Sequence, residues 1–192
     1  LARDAQAALQ RERRIVETAA ALREATHRLE LQATTDSLTG LMNRRVLYER
    51  LGIEFRRAKR YGRPLSALMV DVDLFKQVTD VHGHGFGDLV LTVVAQTLRS
   101  SVRESDLVAR YGGEGFTVIL PETHGADAMI AAEKLRAAVA AQECTDGITS
   151  VHVTISVGVA SLPECDAEDP DALIRLADTA MYEDRKSTRL NS

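Results

Sequence analysis

The stretch Tyr111-Gly112-Gly113-Glu114-Gly115-Phe116 constrains the fold more than any other, because it sets a glycine-rich turn between two β-prone runs. Asp106-Leu107-Val108-Ala109-Arg110 precedes it, and Phe116-Thr117-Val118-Ile119-Leu120 alternates toward Pro121 after it. That is a hairpin signature. Glycines on both sides of Glu114 open backbone angles closed to other residues and let a bulky ligand approach the main chain. A metal or a phosphate fits such a turn; the bland reading is a plain hairpin with an exposed glutamate.

Around this hairpin the chain reads as one globular domain with an extension. Its 192 residues are 45% hydrophobic and 27% charged, enough apolar mass for a real core. The net charge of -4 gives no overall footprint for nucleic acid or an anionic membrane. Cys144 and Cys165 stand far apart without a Cys-x-x-Cys pattern, so a disulfide framework and a thiolate zinc site are both disfavoured. A reducing cytoplasm is expected. No apolar run nears the roughly 20 residues of a membrane span, and the first residue is Leu1, as in a piece of a longer, even membrane-bound, protein.

Leu1, Ala8, Ile15, Leu22 and Leu29 recur every seven residues, with a weaker second seam at Ala5, Ala19 and Ala33 that Glu12 and Thr26 interrupt. Residues 1–33 therefore read as a long signalling helix with coiled-coil character, and a homodimer through it is the expected partner. Thr34-Thr35-Asp36 supplies turn chemistry where the domain begins. Asn43 can cap a helix with Leu47, Leu51, Phe55 and Ala58 on its apolar stripe, ending at Gly62 and Pro64. Arg56, Arg57, Lys59, Arg60 and Arg63 crowd that end, where cations suit the helix dipole.

Residues 65–70 form a nearly continuous apolar run, a buried strand, that stops at Asp71-Val72-Asp73. Residues 80–87 are expected as a glycine- and histidine-rich loop, with Asp88 starting a helix that carries Leu91, Val94, Leu98 and Val102 inward. His82 and His84 lack a third ligand at a recognisable spacing, which argues against zinc. Residues 125–142 read as an alanine-rich helix carrying Ile130, Leu135 and Val139, and residues 151–162 as a strand. Pro170 opens a last helix with Leu173, Leu176, Ala177, Ala180 and Met181 on its core face.

The resulting class is α+β, a ferredoxin-like, palm-like βαββαβ antiparallel sheet with flanking helices, preceded by the long N-terminal helix. In that order the first strand lies beside the central hairpin, so Asp71 and Glu114 share one site. Close carboxylates repel unless a cation sits between them. Magnesium, a hard cation that takes one or two carboxylates and completes its shell with phosphates and water, is the natural cofactor, with manganese as an alternative. Lys76 can meet a phosphate as a point charge.

Several ordered stretches resemble the GGDEF family of diguanylate cyclases: Asp36-Ser37-Leu38-Thr39-Gly40-Leu41-Met42-Asn43-Arg44-Arg45, Asp71-Val72-Asp73-Leu74-Phe75-Lys76, Gly83-His84-Gly85-Phe86-Gly87-Asp88 and Gly112-Gly113-Glu114-Gly115-Phe116. Thr154-Ile155-Ser156-Val157-Gly158-Val159-Ala160 and Ala177-Asp178-Thr179-Ala180-Met181-Tyr182 continue it. The resemblance implies a GGDEF domain over 34–186 that joins two GTP into cyclic di-GMP and pyrophosphate, one GTP per domain of a dimer. It further implies that Asp71, Glu114 and the carbonyl of Val72 hold the metal, with Asp71 and Glu114 catalytic. Phe75, Lys76, Gly112 and Gly113 would flank the phosphates, with Arg185 and Arg189 supplying charge near the C-terminus. Asp88 and Thr79 would face the guanine. Arg103 and Asp106, at the spacing of the family's RxxD site, would bind the product as inhibitor.

Two positions depart from the pattern. Gly115 stands where the family has a second glutamate, and losing a metal-site partner costs roughly 10- to 100-fold. Thr79 stands where the family has an asparagine, and a hydroxyl lacks the paired donor and acceptor of an amide. Residues 187–192 fit the family only loosely and read as a tail of foreign origin. Three readings remain open: an impaired but working cyclase, a cyclic di-GMP receptor that has lost its chemistry, and a GTP-binding dimerisation module.

Overall fold

The computed structural model describes residues 14, 18–19, 22–24 and 33–190, with side chains in the last helix as far as Glu183. The chain divides into a unit Leu1–Thr35 and a unit Asp36–Ser192. In the first, Arg14, Thr18, Ala19, Leu22, Arg23, Glu24, Ala33 and Thr34 are helical. The Thr18 hydroxyl donates to the Arg14 carbonyl at 2.7 Å, and Leu22 is exposed. Leu1, Ala8, Ile15 and Leu29, which carry most of the heptad pattern, lie outside the described residues. Among the described residues no helix is long and apolar enough to cross a membrane.

The second unit begins with helix α1 (Arg44–Tyr61). The Asn43 side chain accepts from the Val46 N–H at 3.1 Å, and Gly62, left-handed at φ 61°, donates its N–H to Ala58 O. Both ends are thus capped as the sequence requires. Leu47, Leu51, Phe55 and Ala58 are buried on one stripe, as expected. Strand β1 (Leu65–Val72) follows, buried at all eight positions.

The main sheet has the order β2-β3-β1-β6, with β2 (Leu107–Gly112), β3 (Gly115–Pro121) and β6 (Ile155–Leu162). Its three strand pairings are antiparallel, and β1 lies between β3 and β6. This is the expected ferredoxin-like arrangement. Alternation along β1 feeds two cores: Leu65, Ala67 and Met69 join α1 and α5 (Pro170–Leu190), while Leu68, Val70 and Val72 join α3 (His84–Ser101) and α4 (Gly125–Ala141).

Four details differ from the sequence expectations. Residues 80–87 are not a loop: α2 (Phe75–His82) and α3 are separated by Gly83 alone, at φ 85°. Gly85 and Gly87 sit inside α3. Gly87 serves close packing, because a Cβ there would lie 2.6 Å from the Thr79 methyl. Residues 151–162 are not one strand: β5 (Ser150–His152) pairs with β4 (Glu143–Thr145) in a separate ribbon, and β6 begins at Ile155.

Ile130 is 69% exposed, since the stripe Ala128, Ala132, Leu135 and Val139 already fills the α4 contact and sets its rotation. On α5, Ile174 is buried and Leu176 is not. Gly158 explains that rotation: a Cβ on it would fall 2.1 Å from both Ala177 O and Met181 N, so the helix backbone rests directly on β6.

Candidate active site

At the end of β1 the register pairs Asp71 with Gly115, and the Val72 N–H meets Glu114 O at 3.4 Å. Asp71 is only 8% exposed. The carboxylate directly across from Asp71 would therefore belong to residue 115, with Glu114 one step further into the turn. A Cβ at Gly115 would lie 3.9 Å from Asp71 Oδ1 and 3.2 Å from Gly112 O. A longer side chain at 115 would start beside Asp71.

The turn is held by one guanidinium. Arg110 donates from Nε and Nη2 to Gly113 O at 3.2 and 2.9 Å, and from Nη1 to the two Asp36 oxygens at 3.1 and 3.2 Å. Gly113 has φ 53°, which lets the carbonyl turn toward Arg110 at no Cβ cost. Asp36 also accepts from the Thr39 N–H at 2.9 Å and hydroxyl at 2.7 Å. Burial pushes the Asp36 carboxyl up, but the Thr39 hydrogen bonds and the Arg110 guanidinium together outweigh it and hold the group below the usual carboxylate range.

Behind the turn, Arg44 stacks on the Tyr111 ring at 4.4 Å and donates to its hydroxyl at 3.2 Å. The Tyr48 and Tyr111 hydroxyls are 3.1 Å apart. Burial first, then the bond to Tyr111, pushes the Tyr48 phenol up to about 12.

After β1, Asp73 accepts from the Thr154 and Ser156 hydroxyls, each at 2.7 Å, fixing the start of β6 against the acidic strand end. Leu74 is left-handed at φ 53° and 60% exposed, an unfavourable conformation for a side chain with a Cβ. Phe75 and the exposed Lys76 then open α2. Thr79 turns its hydroxyl back to Lys76 O at 2.8 Å, so its one proton is already committed. Asp88 is exposed on α3, and His82 stacks on Phe86 with ring centroids 5.2 Å apart.

The donors suit a hard cation in kind: a carboxylate at Asp71, main-chain oxygen at Val72 and a second carboxylate at Glu114, all oxygen. Among the described residues, no three of His, Cys, Asp and Glu cluster as a ligand set. Gly115 accounts for one carboxylate fewer at the β1–β3 register.

Arg103 and Asp106 lie away from the turn, between α3 and β2. The Arg103 N–H donates to Asp106 Oδ2 at 2.9 Å, and Asp106 is buried while the Arg103 side chain is exposed. They line an open groove of about 560 Å³ with Val102, Glu122, Ile130 and Lys134. Lys134 Nζ donates to Ser101 O at 3.2 Å. The α5 helix continues to Leu190, so Arg185 and Arg189 are helical residues whose side chains lie outside those described.

Sequence reasoning missed the parts played by Arg110, Asp73 and Lys134. Arg110 had a signal, standing two residues before the glycines; Asp73 and Lys134 depend on partners 81 and 33 residues away.

Comparison with known proteins points the same way. The profile described as diguanylate cyclase, GGDEF domain, matches residues 33–191. Response regulator PleD of Caulobacter vibrioides is 45% identical over 165 residues, covering 85% of this chain and 36% of that protein. Diguanylate cyclase TpbB of Pseudomonas aeruginosa is 41% identical over 172 residues, covering 88% and 39%. The chain thus spans little more than a third of these curated relatives. Among solved structures, the coiled coil and GGDEF domain of DgcB from Caulobacter crescentus in complex with c-di-GMP aligns with a TM-score of 0.81 at 28% identity, over 92% of this chain and 94% of that one. The active GGEEF domain of a Vibrio cholerae diguanylate cyclase gives 0.70 at 33% identity, over 77% and 92%.

Proposed function

Because the chain belongs to the GGDEF family of diguanylate cyclases, we propose that it condenses two GTP into cyclic di-GMP and pyrophosphate, as a dimer, at a rate limited by Gly115. The observation that carries this reading is the junction of the acidic strand end with the glycine turn, where Val72 N–H meets Glu114 O and Gly115 stands across from Asp71 on the β3 side. Asp71, Glu114 and the Val72 carbonyl would hold magnesium, or manganese. When bound, the metal neutralises triphosphate charge and favours the 3′-hydroxyl as nucleophile.

The chain's own groups do the positioning. Phe75 and Lys76 approach the phosphates from the start of α2, and Gly112 and Gly113 leave the turn's main chain open to them. Arg185 and Arg189 add charge from the last helix. Asp88 accepts from the guanine edge. Thr79, with its proton committed to Lys76 O, offers guanine only an acceptor. One domain holds one GTP, so the N-terminal helix would bring a second copy opposite the first. A cytoplasmic location, alone or as part of a larger protein, follows from the need for GTP.

A second reading rests on the groove at Arg103, Asp106 and Lys134, which offers two cations beside an apolar floor. There the chain would bind cyclic di-GMP, as inhibitor of its own synthesis or as a received signal. Chromatography of products from GTP and magnesium, after removal of bound cyclic di-GMP, separates the two. Slow synthesis by the natural chain and a gain of about 10- to 100-fold in Gly115→Glu are expected. Absence of product from both proteins, with GTP binding intact, would leave only the receptor.

A further inference from the structure

We propose that Arg63 and Glu122 form an affinity control on the Arg103–Asp106 groove, in which Arg63 masks a carboxylate that otherwise opposes a dianionic dinucleotide. The proposal rests on the groove being the cyclic di-GMP site.

Three observations carry it. First, the charged side chains lining the groove are Arg103 and Lys134 against Asp106, Glu122 and Asp127, a lining that is net acidic by one. A ligand with two phosphodiester charges meets an unfavourable field there unless one carboxylate is neutralised. Second, Glu122 is ion-paired with Arg63, which approaches from just past the end of α1 and brings the balance to neutral. Asp106 is differently occupied, accepting from the Arg103 main chain. Third, Glu122 holds a left-handed backbone at φ 53°, immediately after β3 ends at Pro121. A residue with a Cβ rarely adopts it, and here it accompanies a carboxylate standing on the groove wall rather than in the strand's ladder.

Arg63 acts through Glu122, so it is a positioning residue and its effect is electrostatic. Both side chains are about half exposed, which keeps the effect moderate. At low salt, Arg63→Ala is expected to weaken cyclic di-GMP binding by about two- to fivefold, from one uncovered, partly solvent-screened carboxylate on the groove wall. Arg63→Lys keeps the charge and should bind as the natural chain does. Glu122→Gln should bind as tightly or more tightly.

The test is calorimetric titration of the full chain with cyclic di-GMP, for the natural protein, Arg63→Ala, Arg63→Lys, Glu122→Gln and the double variant Arg63→Ala/Glu122→Gln, at low and at about 0.5 M salt, where screening is stronger. The proposal expects the double variant to recover the lost affinity and the Arg63→Ala defect to shrink at high salt. Unchanged affinity in Arg63→Ala, or a double variant as weak as the single, overturns it. Arg103→Ala tests the underlying reading separately: if the natural chain and Arg103→Ala are equally unable to bind, the groove is not the site and the proposal falls with it. If Arg103→Ala alone loses binding while Arg63→Ala does not, only the proposal fails.

Discussion

Replacing Arg110 with methionine should loosen the glycine turn, and the size of the effect can be worked from the bonds it breaks. The guanidinium donates twice to Gly113 O and once to each oxygen of Asp36. Arg110 and Asp36 are 18% and 22% exposed in their side chains, between the surface and the interior. Exposed pairs contribute about 0.2–1 kcal/mol, and hydrogen bonds to charged groups about 1.5–3 kcal/mol. A coupling of about 1–2 kcal/mol with Asp36 and a total loss of about 2–3 kcal/mol are therefore expected, or roughly 4–12 °C in Tm for a domain of this size.

The pH dependence has a definite sign. Asp36 titrates below its ordinary value in the fold, so its contribution is complete above the unfolded value of about 3.9 and disappears as pH falls through the lower folded value. Urea denaturation of the natural chain, Arg110→Met, Asp36→Asn and the double variant at pH 7 gives the coupling. NMR titration of the Asp36 carboxyl should show its value rising in Arg110→Met. A coupling below about 0.3 kcal/mol at pH 7, or an Asp36 titration unmoved by the loss of Arg110, would refute the clamp.

Other consequences follow from single contacts. Gly158→Ala places a methyl 2.1 Å from two backbone atoms of α5, which must retreat by more than an ångström; a loss of about 3 kcal/mol or more in urea denaturation is expected, and a change under about 1 kcal/mol would contradict the close approach. Thr79→Asn restores an amide where the hydroxyl is committed to Lys76 O. It should tighten GTP relative to ATP by about tenfold in competition binding, from one or two added bonds of about 0.5–1.5 kcal/mol each. An unchanged ratio would remove Thr79 from the base site.

The architecture was legible because the signals that specify it are local. The apolar run of β1, the cap at Asn43 with Gly62, and proline at the start of α5 each name their element from neighbouring residues. Glycine misled where it packs rather than turns: Gly85 and Gly87 read as loop, yet Gly87 sits inside α3 because Thr79 and Phe75 press on it. Helix rotation was hidden for the same reason. Leu176 is a better core residue than Ile174 by spacing, but the contact of α5 with Gly158 decides which faces inward. In the site, the motifs marked Asp71 and Glu114, while the register that sets Asp71 across from Gly115 needed the sheet.

That register gives Gly115 a thermodynamic consequence as well as a catalytic one. A glutamate at 115 would start 3.9 Å from Asp71 Oδ1, beside a carboxylate that is 8% exposed, and its Cβ would crowd Gly112 O at 3.2 Å. Two such carboxylates raise each other's proton affinity and cost stability unless a cation lies between them. Gly115→Glu should therefore be less stable than the natural chain by about 1–2 kcal/mol in chelator, roughly one pKa unit of mutual repulsion at 1.4 kcal/mol per unit. Magnesium should restore much of that loss, and should stabilise the variant more than the natural chain, because linkage rewards whichever fold binds the ion more tightly. Thermal denaturation of both proteins across a magnesium series tests this without any reference to turnover. Equal magnesium responses would mean that a carboxylate at 115 does not join Asp71 in holding the metal, and the expected gain in synthesis would lose its physical basis.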